Sequence, residues 1–457
     1  MQGTVLGPRH TLNGDIYAIH TDLLFDPKAR SFVRNTSIEV DKSTGLITKV
    51  YQRPKSHNDA LCKGITRSAD IDLRHRTVLP GFVDAHAHIF VHAYATTPAL
   101  YQERDESFVE RTVRATNHAR TALLAGYTTY RDLGTEGLGD ADVHFRDAIN
   151  RGIIPGPRMF CATECLASSG GYEIRIESRD RDGTGTPRIC DPCDGPWGVR
   201  AGVRRRLGAG ADVIKIYADY RKRALRWPAN TWPGSAEIIH PPGGEDGNSL
   251  VRINERNPNF PLYSQEELNA AVAEARLGRA PVAAHAAWPE AVIMAAKAGV
   301  TTIEHGYTRN DEAVQAMREN EVIFVPTLSV VELELDKEAM QPTFAQTKAA
   351  YDAGVKLACG GDTGAFDHGK NAREIELVCE AGVPVEEALT AATLHGWEAC
   401  GGDWCGRKFG WFQEGCAADI VAIKGDPRED ITVVRKVDFV MKDARIWKRD
   451  GQAIGMI

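Results

Sequence analysis

The sequence lacks any apolar run of about 18 residues, the length that a membrane-spanning helix requires. It also lacks an excess of basic residues, since 55 Lys and Arg stand against 62 Asp and Glu and give a net charge of -7. That charge balance provides no electrostatic footprint for nucleic acid. The hydrophobic share of 43% and the charged share of 26% are those of an ordinary globular protein. We therefore expect a globular protein without a membrane or nucleic-acid partner.

The sequence also shows neither the pattern of a secretion signal nor the cysteine spacing of a disulfide framework. The N-terminus, MQGTVLGPRHTLNGDIYAIH, has no basic segment followed by an apolar one, so it does not resemble a secretion signal. The ten cysteines are scattered, and Cys161, Cys359 and Cys379 lie in apolar surroundings, as is typical of reduced thiols inside a cell. Cys190 and Cys193 form a Cys-x-x-Cys pair, but no second pair follows at zinc-site spacing. We expect a cytoplasmic protein in which this pair consists of loop cysteines or a local disulfide.

The pattern of apolar residues changes along the chain. Both ends show the alternation and turn residues of short strands, while the middle alternates between apolar and amphipathic segments. A chain of 457 residues suggests a large domain and a smaller one. We predict a small β-sandwich domain formed by residues 1–79 and 415–457. Residues 80–414 are predicted to form a (β/α)8 barrel, because nearly continuous apolar strands indicate a parallel sheet that is covered on both faces.

The barrel prediction depends on eight strand-like segments and the helices between them. The strands are GFVDAHAH, YTTYRDLG, RMFCATEC, DVIKIYA, PVAAHAA, TTIEHG, VIFVPTLS and KLACGGD. The predicted helices span 107–125, 141–151, 197–209, 264–277, 288–298, 310–319 and 344–353. Residues 219–262 interrupt this rhythm with Pro, Gly, Asn and two Trp. A segment of that length after the fourth strand is either a lid or binding loop at the barrel mouth, or a surface that packs against a neighbouring subunit.

Polar side chains with metal-ligating atoms occur in five of these strands, mostly at their carboxyl ends, where the active site of a barrel lies. The residues are His86, His88, Lys215, His285, His305 and Asp362. In VLPGFVDAHAHIF, the two histidines point to the same side because they are two positions apart in a strand. Each of the six has a structural explanation when taken alone. Together they predict a metal site, whose nitrogen and oxygen donors suit zinc, manganese, iron or cobalt.

Other histidines have a different setting. His118 and His144 lie in predicted helices, and His395 in AATLHGWEA is also expected to be helical. We interpret these three as structural.

Lys215 is harder to explain as structural, because burial between two isoleucines lowers the pKa of an amine or requires a partner.

The ordered motifs PGFVDAHAHI, GADVIKIYA, PVAAHA, TIEHG and GGDTG together resemble the amidohydrolase superfamily. The tail GCAADIVAIKGDPREDI resembles the returning β-sandwich strand of that superfamily. The closer likeness is to the imidazolonepropionase-like and Xaa-Pro or Xaa-Arg dipeptidase branch, which includes fungal ochratoxinase. The resemblance covers nearly the whole chain and implies two divalent metal ions, expected to be Zn2+. It assigns His86, His88 and Asp362 to the more buried ion, and His285 and His305 to the second.

The resemblance also implies a mechanism. Lys215 would react with CO2, and its carbamate would bridge both metals; burial favours the neutral amine that this reaction needs. A bridging water would lose a proton and attack the substrate carbonyl. Asp362 would accept that proton and return it to the leaving amine, as general base and then general acid.

Substrate contacts are implied in the same way. Tyr263 resembles a tyrosine that contacts the substrate α-carboxylate in dipeptidase relatives, although it could equally pack at a helix N-terminus. Tyr172 in SSGGYEIR stands where relatives often carry the His of Gly-Gly-His, which indicates changed specificity. Asp194 lies in a loop that relatives place near the site. Arg175 and Arg179 could pair with a substrate carboxylate or remain solvated.

These observations predict a binuclear metal-dependent amidohydrolase. The expected substrate is a small-molecule amide, either an N-acyl amino acid or a dipeptide with a free carboxylate, as in ochratoxin-like amides. A homo-oligomer is expected from the resemblance. Two alternatives stay open: hydrolysis of a cyclic amide, as imidazolonepropionase performs, and a non-catalytic scaffold with the amidohydrolase fold.

Overall fold

The structure is a computed structural model that describes residues 16–53, 69–171, 188–219 and 261–456. Tyr172, together with residues 220–260 of the predicted insertion, lies outside the described residues. Within the described ranges, no helix is long and apolar enough to cross a membrane.

The described residues form strands at both ends of the chain and alternate strands with helices between them. The strands are β1 (Ile16–Asp26), β2 (Ser31–Asp41), β3 (Leu46–Gln52), β4 (Ile71–Asp72), β5 (Thr77–Pro80), β6 (Phe82–Ala87), β7 (Tyr127–Asp132), β8 (Arg158–Cys161), β9 (Cys165–Ala167), β10 (Cys190–Pro192), β11 (Ile214–Tyr217), β12 (Val282–Ala286), β13 (Thr302–His305), β14 (Ile323–Val325), β15 (Ile420–Ile423), β16 (Val437–Lys442), β17 (Arg445–Arg449) and β18 (Gln452–Ala453). The helices are α1 (Ala99–Asp105), α2 (Phe108–Leu124), α3 (Ala141–Asn150), α4 (Gly195–Gly208), α5 (Gln265–Leu277), α6 (Pro289–Ala298), α7 (Asp311–Glu319), α8 (Leu328–Glu334), α9 (Gln341–Asp352), α10 (Arg373–Glu380), α11 (Val385–Ala391) and α12 (Leu394–Ala399).

Strands from the two ends of the chain share one nine-stranded sheet. Its order is β18-β17-β16-β15-β5-β1-β2-β3, and β4 pairs with β1. The returning strand β15 runs antiparallel to β5, with Ile420 opposite Pro80. Ile19, Ile38 and Phe439 belong to one buried cluster of this part of the molecule. The division into domains at 79/80 and 414/415 stays a prediction.

The middle of the chain contains two parallel sheets. One has the order β6-β7-β8, and the other has the order β10-β9-β11-β12-β13-β14. Every residue of β6, β7, β11 and β13 is buried, as expected for parallel strands that are covered on both faces. Isolated parallel bridges, Phe324–Leu357 and Ala87–Thr363, connect the segment 357–363 to β14 and to the end of β6. The chain therefore has a mixed α/β fold.

The helices that follow the site strands begin and end at recognisable capping residues. Ser264 accepts a hydrogen bond from the backbone of Glu267, whose side chain reaches back, so that a capping box starts α5. Pro289 occupies the first turn of α6, and Gly299 ends that helix with a φ of 81°. Asn310 caps α7 by accepting from Ala313. These local signals explain why the sequence predicted these three helices within one or two residues.

All seven predicted helices are observed, as α2 to α7 and α9, whereas one predicted strand is wrong. Seven of the eight segments contain an observed strand, but KLACGGD forms no regular strand. It is bridged to β14 at Leu357, and its backbone exchanges hydrogen bonds with Ala85 and His86 of β6. The segment contains Gly360 and Gly361, which have no side chains to pack in a strand. A Cβ on Gly360 would lie 2.5 Å from the backbone nitrogen of His86. The segment therefore crosses close to the end of β6 instead of forming a regular ladder.

A buried carboxylate joins α8 to α10. Glu374 accepts hydrogen bonds from the backbone N–H of Leu328 at 2.9 Å and from the backbone N–H and hydroxyl of Ser329, both at 2.7 Å. Burial raises the pKa of the Glu374 carboxyl from 4.5 to about 7. Because the pKa is higher in the folded protein, this group's contribution to stability is fully present below pH 4.5 and is lost as the pH rises through about 7.

We expect Glu374→Gln to remove that pH dependence. Between these two pH values, the wild type should lose about 3 kcal/mol of unfolding free energy that the variant does not lose, at about 1.4 kcal/mol per pKa unit. Urea unfolding of both proteins at several pH values across this window measures the difference. Glu312→Gln, at an exposed position of α7, is the control and should follow the wild type. Identical pH dependence in Glu374→Gln and the wild type would contradict the prediction.

Candidate active site

The two histidines at the end of β6 converge on Asp362. The Nε2 atom of His88 lies 3.2 Å from Asp362 Oδ1, and the Nε2 atom of His86 lies 3.7 Å from the same oxygen. Both imidazoles are buried, and their ring centres are 5.5 Å apart. The structure therefore brings together three residues that the sequence placed at the ends of the first and eighth strands.

The other two predicted histidine ligands adjoin this group. The ring centre of His305 is 5.1 Å from that of His86 and 4.4 Å from that of His285. His86, His305 and Asp362 each offer one ligand atom, and these atoms lie within 4.8 Å of one another. Imidazole nitrogens and a carboxylate oxygen are donors that zinc and similar divalent metals accept. The residues present therefore fit a metal ion.

Lys215 lies on β11 beside the same histidines. It is 2% exposed, and its Nζ atom is 5.8 Å from the centre of the Tyr217 ring. Burial lowers the pKa of the Lys215 amine. Burial also lowers the pKa values of His285 and His305, and the positive charge of Lys215 adds to that effect. The structure thus places the amine within electrostatic reach of the histidines, as the sequence predicted.

The protonation states of His86 and Asp362 suit metal binding, whereas His88 must first lose a proton. Burial lowers the pKa of His86 to about 4, so its imidazole is neutral. Burial opposes ionisation of Asp362, but His86 and His88 hold the pKa of that carboxyl well below its usual range. Against the effect of burial, Asp362 and Glu136 raise the pKa of His88 to about 10, so a cation that binds His88 displaces a proton there.

Three residues at or beside the site have a left-handed backbone conformation. His305 has a φ of 79° and Asp362 has a φ of 64°, which is a left-handed conformation that residues other than glycine seldom adopt. Thr327, at the end of the next strand, has a φ of 49°. Each such residue costs about 1–3 kcal/mol and persists where the surrounding structure enforces it, commonly at functional sites.

Sequence reasoning missed the side chains that hold the predicted ligands. They are Arg131, Asp219, Glu304, Tyr307 and Thr327. His86 Nδ1 lies 2.9 Å from Glu304 Oε2, and His305 Nδ1 lies 2.8 Å from the Tyr307 hydroxyl and 2.9 Å from Thr327 Oγ1. Asp219 accepts hydrogen bonds from the backbone N–H of Ala287 and Trp288, and its Oδ1 lies 3.6 Å from His285 Nε2. The available signal was a charged residue within or directly after an apolar strand, as in TIEHG and IKIYAD.

The residues predicted to contact the substrate differ in burial and in hydrogen bonding. Tyr263 is 4% exposed, and among the described residues its hydroxyl has no hydrogen-bond partner. Burial, followed by the nearby Cys193 thiol, raises the pKa of Tyr263. Asp194 is exposed and accepts a hydrogen bond from the backbone N–H of Ser169 at 2.9 Å. Their roles, like that of Tyr172 outside the described residues, stay predictions.

The Cys-x-x-Cys pair forms neither a disulfide nor a loop as a whole. Cys190 lies in β10 and Cys193 lies just before α4. Both thiols are buried and lie outside any disulfide, as do most of the nine cysteines that the structure describes. The local disulfide among the two predicted alternatives is therefore wrong for this structure, and the loop interpretation holds for Cys193.

The three histidines that the sequence analysis set aside all lie in helices. His118 Nδ1 is 2.8 Å from the backbone oxygen of Ile89, and His395 Nδ1 is 2.8 Å from that of Leu357. His144 is exposed on α3. The contacts of the first two residues join helices to the segments that follow β6 and β14, which is a structural role.

Comparison of the sequence with known protein families supports a metal-dependent hydrolase site. A profile of the amidohydrolase family matches residues 77–447, and the chain belongs to this family. The chain is a hydrolase that acts on carbon–nitrogen bonds, and metal dependence is typical of the family.

Individual relatives indicate which branch of the amidohydrolase family the chain resembles. The chain is 28% identical to an ochratoxinase from Aspergillus niger over 92% of this chain and 84% of that protein. It is 31% identical to an uncharacterized protein of Mycobacterium tuberculosis over 81% of this chain and 85% of that protein. Among solved structures, a Xaa-Pro dipeptidase with bound methionine superposes with a TM-score of 0.74 at 30% identity, covering 95% of this chain and 100% of that one. The A. niger ochratoxinase structure gives 0.73 at 26% identity, covering 97% and 99%. The predicted branch of the superfamily is confirmed.

Proposed function

We propose that this protein is a binuclear metal-dependent amidohydrolase that cleaves the amide bond of an N-acyl amino acid or dipeptide with a free carboxylate. The observation that carries the proposal is the convergence of His86, His305 and Asp362 to within 4.8 Å, next to the buried Lys215. An ochratoxinase and a Xaa-Pro dipeptidase among the relatives support an amide or peptide substrate. A homo-oligomer and a cytoplasmic location stay predictions.

We also propose that the two parallel sheets belong to one closed (β/α)8 barrel. The bridges at Leu357 and Thr363 support closure on one side, because they link the eighth predicted segment to β14 and to the end of β6. On the other side, the backbone N–H of Asp212, just before β11, donates to the carbonyl of Cys161 at the end of β8. In such a barrel the predicted ligands would share the face formed by the carboxyl ends of the strands.

The donor set fits two divalent cations, which we expect to be Zn2+. The residues that would hold them are His86, His88, Lys215 as its carbamate, His285, His305 and Asp362. When bound, the cations would lower the pKa of a water molecule and polarise the substrate carbonyl.

The chain's own residues would perform the remaining tasks. Asp362 is held ionised by the neighbouring histidines, so it can accept a proton from the attacking water and return it to the leaving amine. Glu304, as an acceptor for His86 Nδ1, leaves His86 Nε2 directed at Asp362. Burial lowers the pKa of the Lys215 amine and so favours its neutral form, which is the form that reacts with CO2.

Metal analysis combined with a substrate panel tests the proposal. The panel contains N-acyl-phenylalanine, Xaa-Pro and Xaa-Arg dipeptides, ochratoxin A and imidazolone propionate. We expect two metal equivalents per chain and cleavage of open-chain amides that carry a carboxylate. The matched controls are the same amides with the carboxylate converted to a carboxamide, which should be poor substrates. Cleavage of the imidazolone alone would support the cyclic-amide alternative, and absence of both metal and turnover would support the scaffold.

A further inference from the structure

We propose that Glu304, clamped by Arg131, is a positioning residue that fixes the tautomer and orientation of the His86 ring, and thereby sets the affinity of the metal position built on His86. The inference rests on the proposed function, because it takes His86 to be a metal ligand. It adds a residue pair that neither the motifs nor the family resemblance assigns.

The clamp is a fully buried ion pair between β7 and β13. Arg131 and Glu304 are both 0% exposed, and Arg131 Nη2 donates to Glu304 Oε1 at 2.8 Å. The Thr302 hydroxyl donates to the same carboxylate oxygen. The Nε–H group donates to the carbonyl of Ala85, and the Nη1 group donates to Thr302 Oγ1 at 2.9 Å and to the carbonyl of Ala399 at 3.0 Å. The guanidinium is therefore fixed by groups on three different parts of the fold, and it fixes Glu304 in turn.

The other oxygen of Glu304 is directed at His86. Its Oε2 atom lies 2.9 Å from His86 Nδ1. An ionised carboxylate only accepts hydrogen bonds, so Nδ1 carries the imidazole proton. The lone pair is then on Nε2, the atom that lies 3.7 Å from Asp362 Oδ1. The clamp thus presents the ligating nitrogen of His86 toward the carboxylate with which it would share a metal.

The second histidine of the converging group has different support. His305 Nδ1 contacts two hydroxyls, Tyr307 at 2.8 Å and Thr327 at 2.9 Å, and no carboxylate is recorded as its hydrogen-bond partner among the described residues. A carboxylate partner orients a ligating imidazole and raises its basicity, whereas a hydroxyl supplies orientation with little added charge. The family resemblance assigns His86 and His305 to different ions. With those ligand sets, loss of the clamp should weaken the metal position of His86 and leave that of His305 nearly unchanged.

Zn2+ titration of the full-length chain, first stripped of metal, tests the inference against a chromophoric chelator. In Glu304→Gln, we expect one of the two Zn2+ equivalents to bind about 10–100-fold more weakly and the other to bind as in the wild type. Tyr307→Phe is the comparison variant and should affect the other equivalent. The 15N shifts of the histidine rings supply a second readout, since the wild type should show His86 as the Nδ1–H tautomer and the Gln variant should show a mixture.

An effect of Glu304→Gln on folding must be distinguished from its effect on the position of His86, because the variant leaves the buried Arg131 charge without its partner. Circular dichroism reports whether the variant folds. If it does not, the double variant Arg131→Met with Glu304→Met removes both charges at similar volume, and the same loss at one Zn2+ equivalent is expected. A folded Glu304 variant that binds both equivalents with wild-type affinity would overturn the inference and leave the proposed function intact. A wild type that binds no Zn2+ or other divalent metal would overturn the proposed function itself.

Discussion

The Lys215→Ala variant is expected to lose at least one of the two metal equivalents, and its amide hydrolysis should fall by roughly 10³-fold or more, since metal ions contribute several kcal/mol to catalysis. Lys215 is 2% exposed among histidines, and burial lowers the pKa of its amine. A buried amine with a lowered pKa next to potential metal ligands is suited to carbamate formation. Alanine would remove the anionic bridge that the proposal places between the two cations.

A second, half-buried lysine provides a control for this experiment. Burial lowers the pKa of Lys442 to about 8, and its Nζ atom donates to the carbonyl of Gly156 at 2.9 Å. Lys442→Ala should reduce stability but leave the metal content and the substrate profile unchanged. Metal analysis and turnover of both variants, measured side by side, separate a bridging role from the general cost of losing a lysine that is at least half-buried. If Lys215→Ala retains both metals and full turnover, the carbamate bridge is wrong.

The second large effect is expected for Asp362→Asn. Asp362 Oδ1 lies 3.2 Å from His88 Nε2, and the neighbouring histidines keep the carboxylate ionised. Asparagine keeps the shape and one oxygen but cannot accept and return a proton. General acid–base catalysis contributes roughly 10²–10⁴-fold, so kcat should fall by about that factor even in protein loaded with metal. Single-turnover rates at saturating Zn2+ measure this loss separately from weaker metal binding.

The control for Asp362→Asn lies five residues further along the chain. Asp367 is exposed and pairs with Lys370 at the surface. Asp367→Asn should therefore retain wild-type rates and metal content. A wild-type rate in Asp362→Asn that carries both metals would show that another group transfers the proton, and the general-base assignment would be abandoned.

Much of the site was determined by local sequence. His86, His88, His305 and Asp362 could be singled out because each interrupts an apolar segment near its end, and parallel strands bring such ends to one edge. Seven helices were found in the same way, from their amphipathic pattern, and three of them begin at a side-chain cap, at Ser107, Ser264 and Asn310. The pairing of both chain ends in one sheet also followed from the strand-like pattern at each end, which needs no knowledge of side-chain contacts.

Contacts between residues that are far apart in the sequence could be found only from the tertiary structure. Glu304 reaches His86 across 218 positions and Arg131 across 173, and such partners leave no periodic signal in the sequence. The eighth predicted segment is an apolar run that reads as a strand. The close passage of Gly360 beside His86 arises only when both segments are folded. The sequence alone therefore determined which residue types gather at the strand ends. Only the folded chain decided which of them touch, because hydrogen bonds and close contacts depend on distance in space and not on separation along the chain.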